Sequence, residues 1–307
     1  MSKFKSVYCW GLNSDIMHGM TFWRMGITLM ILAAATGCST QQIAARMAFP
    51  LVQGQYQSLN EEADTVLAEQ AIPANLKMLE GMLKSDESNT SVLHNLAEGF
   101  CGFAFGFVED QDPKRAANLY LRGKNYALKS LPAPLNSGEL ATSGLEDYKT
   151  ALQGIDSAHL PGLFWLAQCW AGWLMLSLDN PSAFVDIPRI EILLLRTVEL
   201  DESYHYAGPH LLLGSFYGSR TKVLGGNPEK SLSHFERNLK LTGNKYLLSQ
   251  ILFAKTYAVQ AQDRKLFERL LNEVLRTPSE VLPEQRLANE TAKIKAKKLL
   301  ESADDLF

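Results

Sequence analysis

The stretch Phe103-Ala-Phe-Gly-Phe-Val-Glu-Asp-Gln-Asp-Pro113 closes an apolar, aromatic-rich segment and sets a capping side chain directly before a proline. An Asp at such a position accepts a hydrogen bond from a free N–H of the first helical turn, and proline lacks the N–H that the first helical position leaves unsatisfied anyway. The dipeptide therefore marks the start of a helix. It recurs as Asn180-Pro181 and Asn227-Pro228, each time after an apolar segment and before an amphipathic one. These junctions define successive helix pairs. Their first helices run from about Val92 to Val108, Leu163 to Leu178 and Pro209 to Arg220, and their second helices end near Leu131, Leu200 and Leu241.

Working outward, a fourth pair reads from Tyr246 to Gln260 and Arg264 to Arg276, with Gln262-Asp263 in the turn. Tyr257, Ala258, Phe267 and Leu271 occupy its small and aromatic positions as a tetratricopeptide repeat would. Towards the N-terminus, Leu59, Ala63, Val66 and Leu67 mark an amphipathic helix, and Pro73 opens a second in which Leu76, Leu79, Met82 and Leu83 share a face. A last helix, Glu284 to about Glu301, is basic at Lys293, Lys295, Lys297 and Lys298 and caps the stack. Almost nothing alternates as a strand does. The expected fold is all-α: a superhelical array of tetratricopeptide-like helix pairs forming one domain over 57–307, with insertions and a C-terminal capping helix. The larger insertion, Leu131 to Pro161, is broken by Pro132, Pro134 and Gly138 before a short helix from Gly144 to Gln153. The smaller one is Arg220 to Asn227.

The first residues read as an export signal. Met25 to Ala35 is apolar, follows Arg24 and ends in small residues, and it is shorter than the roughly 20 residues a bilayer span requires. Ala35-Thr-Gly-Cys38 then resembles a lipobox, which makes Cys38 the lipidated first residue of the mature chain. The expected organisation is a signal peptide at 1–37, with Met17, Met20 or Met25 as alternative starts, and a lipidated tether at 38–56. Ser39 carries no inner-membrane retention signal, so the expected location is the periplasm, anchored in the inner leaflet of the outer membrane.

Overall charge is −3, with 46% apolar and 21% charged residues. That describes a globular body without the dense basic surface that nucleic acid needs. No phosphate loop or nucleophile elbow occurs, and no cofactor is expected. His205 and His210 are close in sequence, but Gly208-Pro209 intervenes and no Cys or carboxylate completes a metal set, so cap or core roles are expected. Glu109-Asp-Gln-Asp112 lacks the features of a calcium loop and reads as solvation of a helix end plus a cap. Cys101 and Cys169 either pair in an oxidising compartment or serve as small core residues.

The aromatic content is the distinctive feature. Gly99, Gly102 and Gly106 form one helical stripe and Phe100, Phe103 and Phe107 the next, and Gly inside a helix costs about 1 kcal/mol relative to Ala. Something therefore approaches that backbone closely, either a second helix or a ligand. Trp165, Trp170 and Trp173 share one later helix. Together with the three phenylalanines they are the candidates for lining an apolar cavity, the other reading being packing between repeats.

In sequence order, the lipobox at Cys38, Phe103 to Pro113 leading into Leu119-Tyr-Leu-Arg-Gly123, Leu163-Phe-Trp165, Glu199 to Ser203 with Gly208-Pro-His-Leu211, Leu224 to Lys230, His234-Phe-Glu236 and Arg286-Leu-Ala-Asn289 resemble the T component associated with TRAP transporters, the TatT family. The resemblance implies a homotrimeric periplasmic lipoprotein with a pore or cavity in each protomer. It also implies that the chain binds the TRAP substrate-binding (P) subunit and relays a small hydrophobic ligand, without catalysis. The alternative is a structural tetratricopeptide scaffold for envelope protein assembly at the outer membrane. If the lipobox reading holds, Cys38→Ala abolishes incorporation of radiolabelled fatty acid and shifts the protein out of the membrane fraction; full labelling of that variant contradicts it.

Overall fold

The computed structural model describes residues 40–137 and 143–307. Residues 48–307 form one compact unit, and of residues 1–47 only the helical stretch from Thr40 is described. The signal segment, its alternative starts and Cys38 lie outside the described residues. Every regular element among the described residues is helical, and none of these helices is long and apolar enough to cross a membrane.

The N-terminal elements are α1 (Thr40–Asn60), α2 (Thr65–Ser85) and α3 (Thr90–Phe103), the last running on into a π-helical turn, Ala104–Val108. Next come α4 (Pro113–Lys129), α5 (Leu145–Gln153), α6 (Leu160–Met175) and α7 (Ile187–Leu200). The C-terminal part holds α8 (Tyr204–Gly218), α9 (Pro228–Thr242) and α10 (Leu248–Leu252), which also runs into a π turn, Phe253–Ala258. Then come α11 (Arg264–Arg276), α12 (Arg286–Glu301) and the short α13 (Ala303–Leu306).

Capping chemistry explains most boundaries. Asp112 accepts from the Arg115 N–H at 3.0 Å, Asn227 from Lys230 at 2.9 Å and Asp263 from Leu266 at 2.9 Å, so three of the expected turns start helices as read. Asn180-Pro181 differs. It opens a 3-10 run, Pro181–Asp186, and the α-helix begins at Ile187. Pro188 then falls in the first turn, where an α-helix accommodates proline without losing a hydrogen bond. Pro73 is the converse case: α2 begins at the Asp64 cap, which accepts from Val66 at 2.9 Å and Leu67 at 3.1 Å, and runs through the proline. A buried stripe of Ala68, Ile72, Leu76, Leu79 and Leu83 continues across it, and that burial offsets the roughly 3 kcal/mol that an interior proline costs. Leu59 belongs to α1, and the segment read as a tether is helical from Thr40.

Consecutive helices pack on one another from α2 to α4 and from α6 to α9, and α6 sits between α4 and α7 while also touching α3 and α8. It is apolar nearly all round, with Leu163, Phe164, Trp165 and Leu174 buried, as expected of an element enclosed by neighbours. Cys101 of α3 and Cys169 of α6 are both fully buried and joined in a disulfide, with Cα atoms 5.6 Å apart. Gly123 of α4 makes room for it: a Cβ there would lie 2.9 Å from the Cys169 sulfur.

The acidic run is a solvated, capping helix end at Asp110, Gln111 and Asp112, which are exposed, but not at Glu109. Glu109 is buried and accepts from the Tyr120 hydroxyl at 2.8 Å and from Lys255 Nζ at 2.9 Å. Asp110 accepts from Lys295 Nζ at 2.8 Å, and Lys295, one of the basic residues of the capping helix, is 4% exposed. These contacts tie the end of α3 to the π turn after α10 and to α12, and α12 also touches α2. Glu109→Ala leaves Lys255 without its nearest carboxylate and opens the buried cluster. Because the Lys255 side chain is 41% exposed and the buried group left without a partner is the Tyr120 hydroxyl, unfolding stability should fall by about 2 kcal/mol in urea titrations, and a change below about 0.5 kcal/mol, the range of ordinary surface substitutions, would contradict the closure.

Candidate functional site: two adjoining cavities

The site is organised by an irregular turn. His205, Tyr206 and Ala207 all have positive φ, at 44°, 59° and 52°. Left-handed backbone costs a non-glycine residue about 1–2 kcal/mol, so something must hold it. Asn238, fully buried on α9, donates to the Tyr206 carbonyl at 3.0 Å and the Ala207 carbonyl at 2.9 Å. The turn carries the His205 ring against Trp165, edge-on with centroids 4.9 Å apart, and stacks Tyr206 on Tyr246 at 5.0 Å.

Two cavities meet at this turn. The first, about 1010 Å³ counted out to its mouth, lies between α1, α2, α3 and α12. The second, about 1180 Å³ on the same measure, lies between α4, α6, α8 and the π turn after α10. Phe105, Gln168, His205, Tyr246 and Leu248 border both. Both walls are mainly apolar, and the shared residues make the two spaces neighbours across a single layer of side chains.

The glycine stripe has two roles. A Cβ on Gly99 would lie 2.6 Å from Leu76 Cδ2, so α2 approaches there, whereas a Cβ on Gly102 would meet nothing within 4 Å. Gly99, Gly102 and Gly106 all border the first cavity. Both π turns also contribute wall residues, Phe105 from one and Lys255 and Thr256 from the other. A π turn adds a residue to the helical ladder, here seen in the Glu109 N–H bonding back to the Ala104 carbonyl at 2.9 Å, and such insertions are frequent at functional sites.

The charged groups are few. Glu98 of α3 borders the first cavity and accepts from the Tyr56 hydroxyl. Burial pushes its carboxyl up to about 7 against the opposing effect of that bond. Burial also pushes His205 down to about 4, which leaves it neutral at physiological pH. In the second cavity Lys255 is held by Glu109; burial opposes its charge, but the neighbouring carboxylates outweigh burial and raise it above its ordinary value.

Of the candidates from the sequence, Phe103, Phe107 and Trp165 border the first cavity. Phe100, Trp170 and Trp173 border neither cavity. Phe100 stacks on Tyr126 of α4 with centroids 5.8 Å apart and lies under the Arg122 guanidinium at 4.5 Å. Trp170 donates to Asp186 at 2.9 Å beneath Lys124, and Trp173 packs into the core. Because α6 is buried on several sides, its tryptophans diverge. Phe105, Glu98, His205 and Tyr246 are the wall residues that the helical stripe did not reveal. For Phe105 the reason is the π turn, which shifts the register after Phe103. His210 faces His234 Nδ1 at 2.8 Å and Glu202 at 2.9 Å, not His205. Among the described residues no group of three or more His, Cys, Asp or Glu is placed to hold a metal ion.

Comparison with known proteins gives the setting for this geometry. A protein of Treponema pallidum (strain Nichols), described only as uncharacterized, is 23% identical over 264 residues, covering 80% of this chain and 81% of that one. The family described as TRAP transporter T-component, TAtT, matches residues 61–307, which takes in α2 through α13, the disulfide, the left-handed turn and nearly all of both cavity walls. The chain belongs to the TRAP transporter T-component family.

Proposed function

We propose that this protein is a lipid-anchored periplasmic component of a TRAP transport system, one that docks the substrate-binding (P) subunit and shelters a small, mainly apolar ligand without chemically changing it. The observation that carries this reading is the pair of apolar cavities sharing a wall inside a chain of this family. Buried, mostly apolar concavities with a few placed polar groups are the usual form of small-molecule sites. Consecutive helix packing supports a tetratricopeptide-like array, in which stacked pairs enclose a hollow that no single pair could form. Anchoring through Cys38 in the outer membrane and assembly as a homotrimer complete the proposal.

Gly102 separates ligand retention from folding. Gly102→Ala should stabilise the protein by up to about 1 kcal/mol, because it improves helix propensity and meets open space. Gly102→Leu should keep thermal stability within a few degrees of wild type while filling the first cavity. Native mass spectrometry of protein taken from its own periplasm should then show a retained small molecule in the wild type and its loss in Gly102→Leu, with the P subunit co-purifying. Absence of both a retained molecule and a P-subunit complex in the wild type would overturn the proposal.

A further inference from the structure

The first cavity carries charge of one sign only. Among the described residues Glu98 is the sole carboxylate in its wall, and no Lys or Arg borders it. One Glu98 oxygen accepts from Tyr56, and the other has no hydrogen-bond partner among the described residues. In the same wall Asn75 Oδ1 is buried without a donor. A carboxylate served by one neutral hydroxyl in an apolar wall is poorly solvated, and an approaching positive charge relieves that most directly. An anionic ligand would meet the reverse: a carboxylate and no cation.

The rings point the same way. Phe103, Phe107, Trp165 and Tyr246 border the cavity with Glu98, and aromatic faces attract cations, above all quaternary ammonium groups enclosed by several rings. Resting on the reading of the cavities as a ligand shelter, we infer that the ligand is an apolar or aromatic molecule bearing an amine or ammonium cation, held by Glu98 among these rings. Mechanistically, Glu98 supplies the ionic partner, the rings enclose the charged head, and the apolar remainder of the same wall, Val52, Ile72 and Leu76 among it, takes the rest of the molecule.

The pH dependence follows from what surrounds Glu98. Tyr56, Tyr204, Tyr206 and Tyr246 are all shifted upward, by burial first and by the Glu98 charge, so they stay protonated at neutral pH. His205 stays neutral. Glu98 is therefore the group of this wall that titrates near pH 7. A permanently charged ligand requires the ionised carboxylate, so its affinity rises with pH. The ionised fraction climbs from about one tenth at pH 6 to about nine tenths at pH 8, which makes the expected gain about tenfold.

The test is calorimetric titration of the acylated full protein in phospholipid nanodiscs, with empty discs as the blank. The probes are benzyltrimethylammonium, phenylacetate and benzyl alcohol. Benzyltrimethylammonium should bind at least about tenfold more tightly than phenylacetate at pH 8, weakening about tenfold at pH 6. Glu98→Gln should remove both the preference and the pH dependence, whereas Trp173→Phe, outside both cavity walls, should retain both. Equal binding of cation and anion, or an unchanged preference in Glu98→Gln, overturns the inference. Binding of benzyl alcohol without any cation preference overturns it while leaving the shelter reading intact, and failure of all three probes overturns both.

Discussion

The pairing of Glu109 and Asp110 with Lys255 and Lys295 joins parts of the chain 146 and 185 residues apart. Packing between consecutive helices would leave the two ends of the array independent, since each helix would answer only to its neighbours. The acid–lysine cluster adds a long-range constraint. Its members are unequal. Lys255 keeps a partly exposed side chain and is raised by its carboxylates, while the Lys295 side chain, 5% exposed, is lowered because burial dominates. Burial also opposes the charge of Asp110, yet the Lys295 hydrogen bond and charge bring it below its ordinary value. Such a cluster adds little net stability over an apolar replacement, but losing one partner leaves a buried charge unpaired. Here it connects the end of α3 to the π turn after α10 and to α12.

The cavities lie next to this cluster. Lys295 also lies 4.7 Å from the centroid of the Phe105 ring, and Phe105 belongs to the layer shared by both spaces. The opposite side of this layer comes from the left-handed turn at His205, which Asn238 holds from beneath. Irregular backbone is concentrated at this junction: one π turn supplies Phe105, the other borders the second cavity, and three left-handed residues place His205. Strained or irregular segments persist where surrounding structure over-determines them, and they cluster at sites that bind or switch.

Much of the fold was legible because it depends on local chemistry. The Asp112, Asn227 and Asp263 caps announce their helices within a few residues, and the apolar stripe of α6 announces its burial. Gly102 hinted at the site, since glycine in a helix interior asks for a reason. What remained hidden depends on distant partners or on a broken period. Nothing near Glu109 in the sequence points to Lys255. The register slip after Phe103 made Phe100 look equivalent to Phe103, although Phe100 packs on Tyr126. A signal for the left-handed turn did exist in α9, where Ser231, Phe235 and Asn238 fall at core spacing and all are buried; a polar Asn on such a face implies backbone groups in need of partners.

In this chain of the TRAP transporter T-component family, two mainly apolar cavities lie beside the acid–lysine cluster that ties distant helices together. The proposed shelter depends on that tie holding. Hydrogen–deuterium exchange on a Lys255→Ala, Lys295→Ala double variant measures this directly, because exchange reports local opening segment by segment. The account predicts faster exchange in both Ala104–Val108 and Phe253–Ala258 while Leu160–Met175 stays protected as in wild type. Unchanged exchange at Ala104–Val108, with loosening confined to the C-terminal helices, would show that the cavities do not depend on the charge cluster.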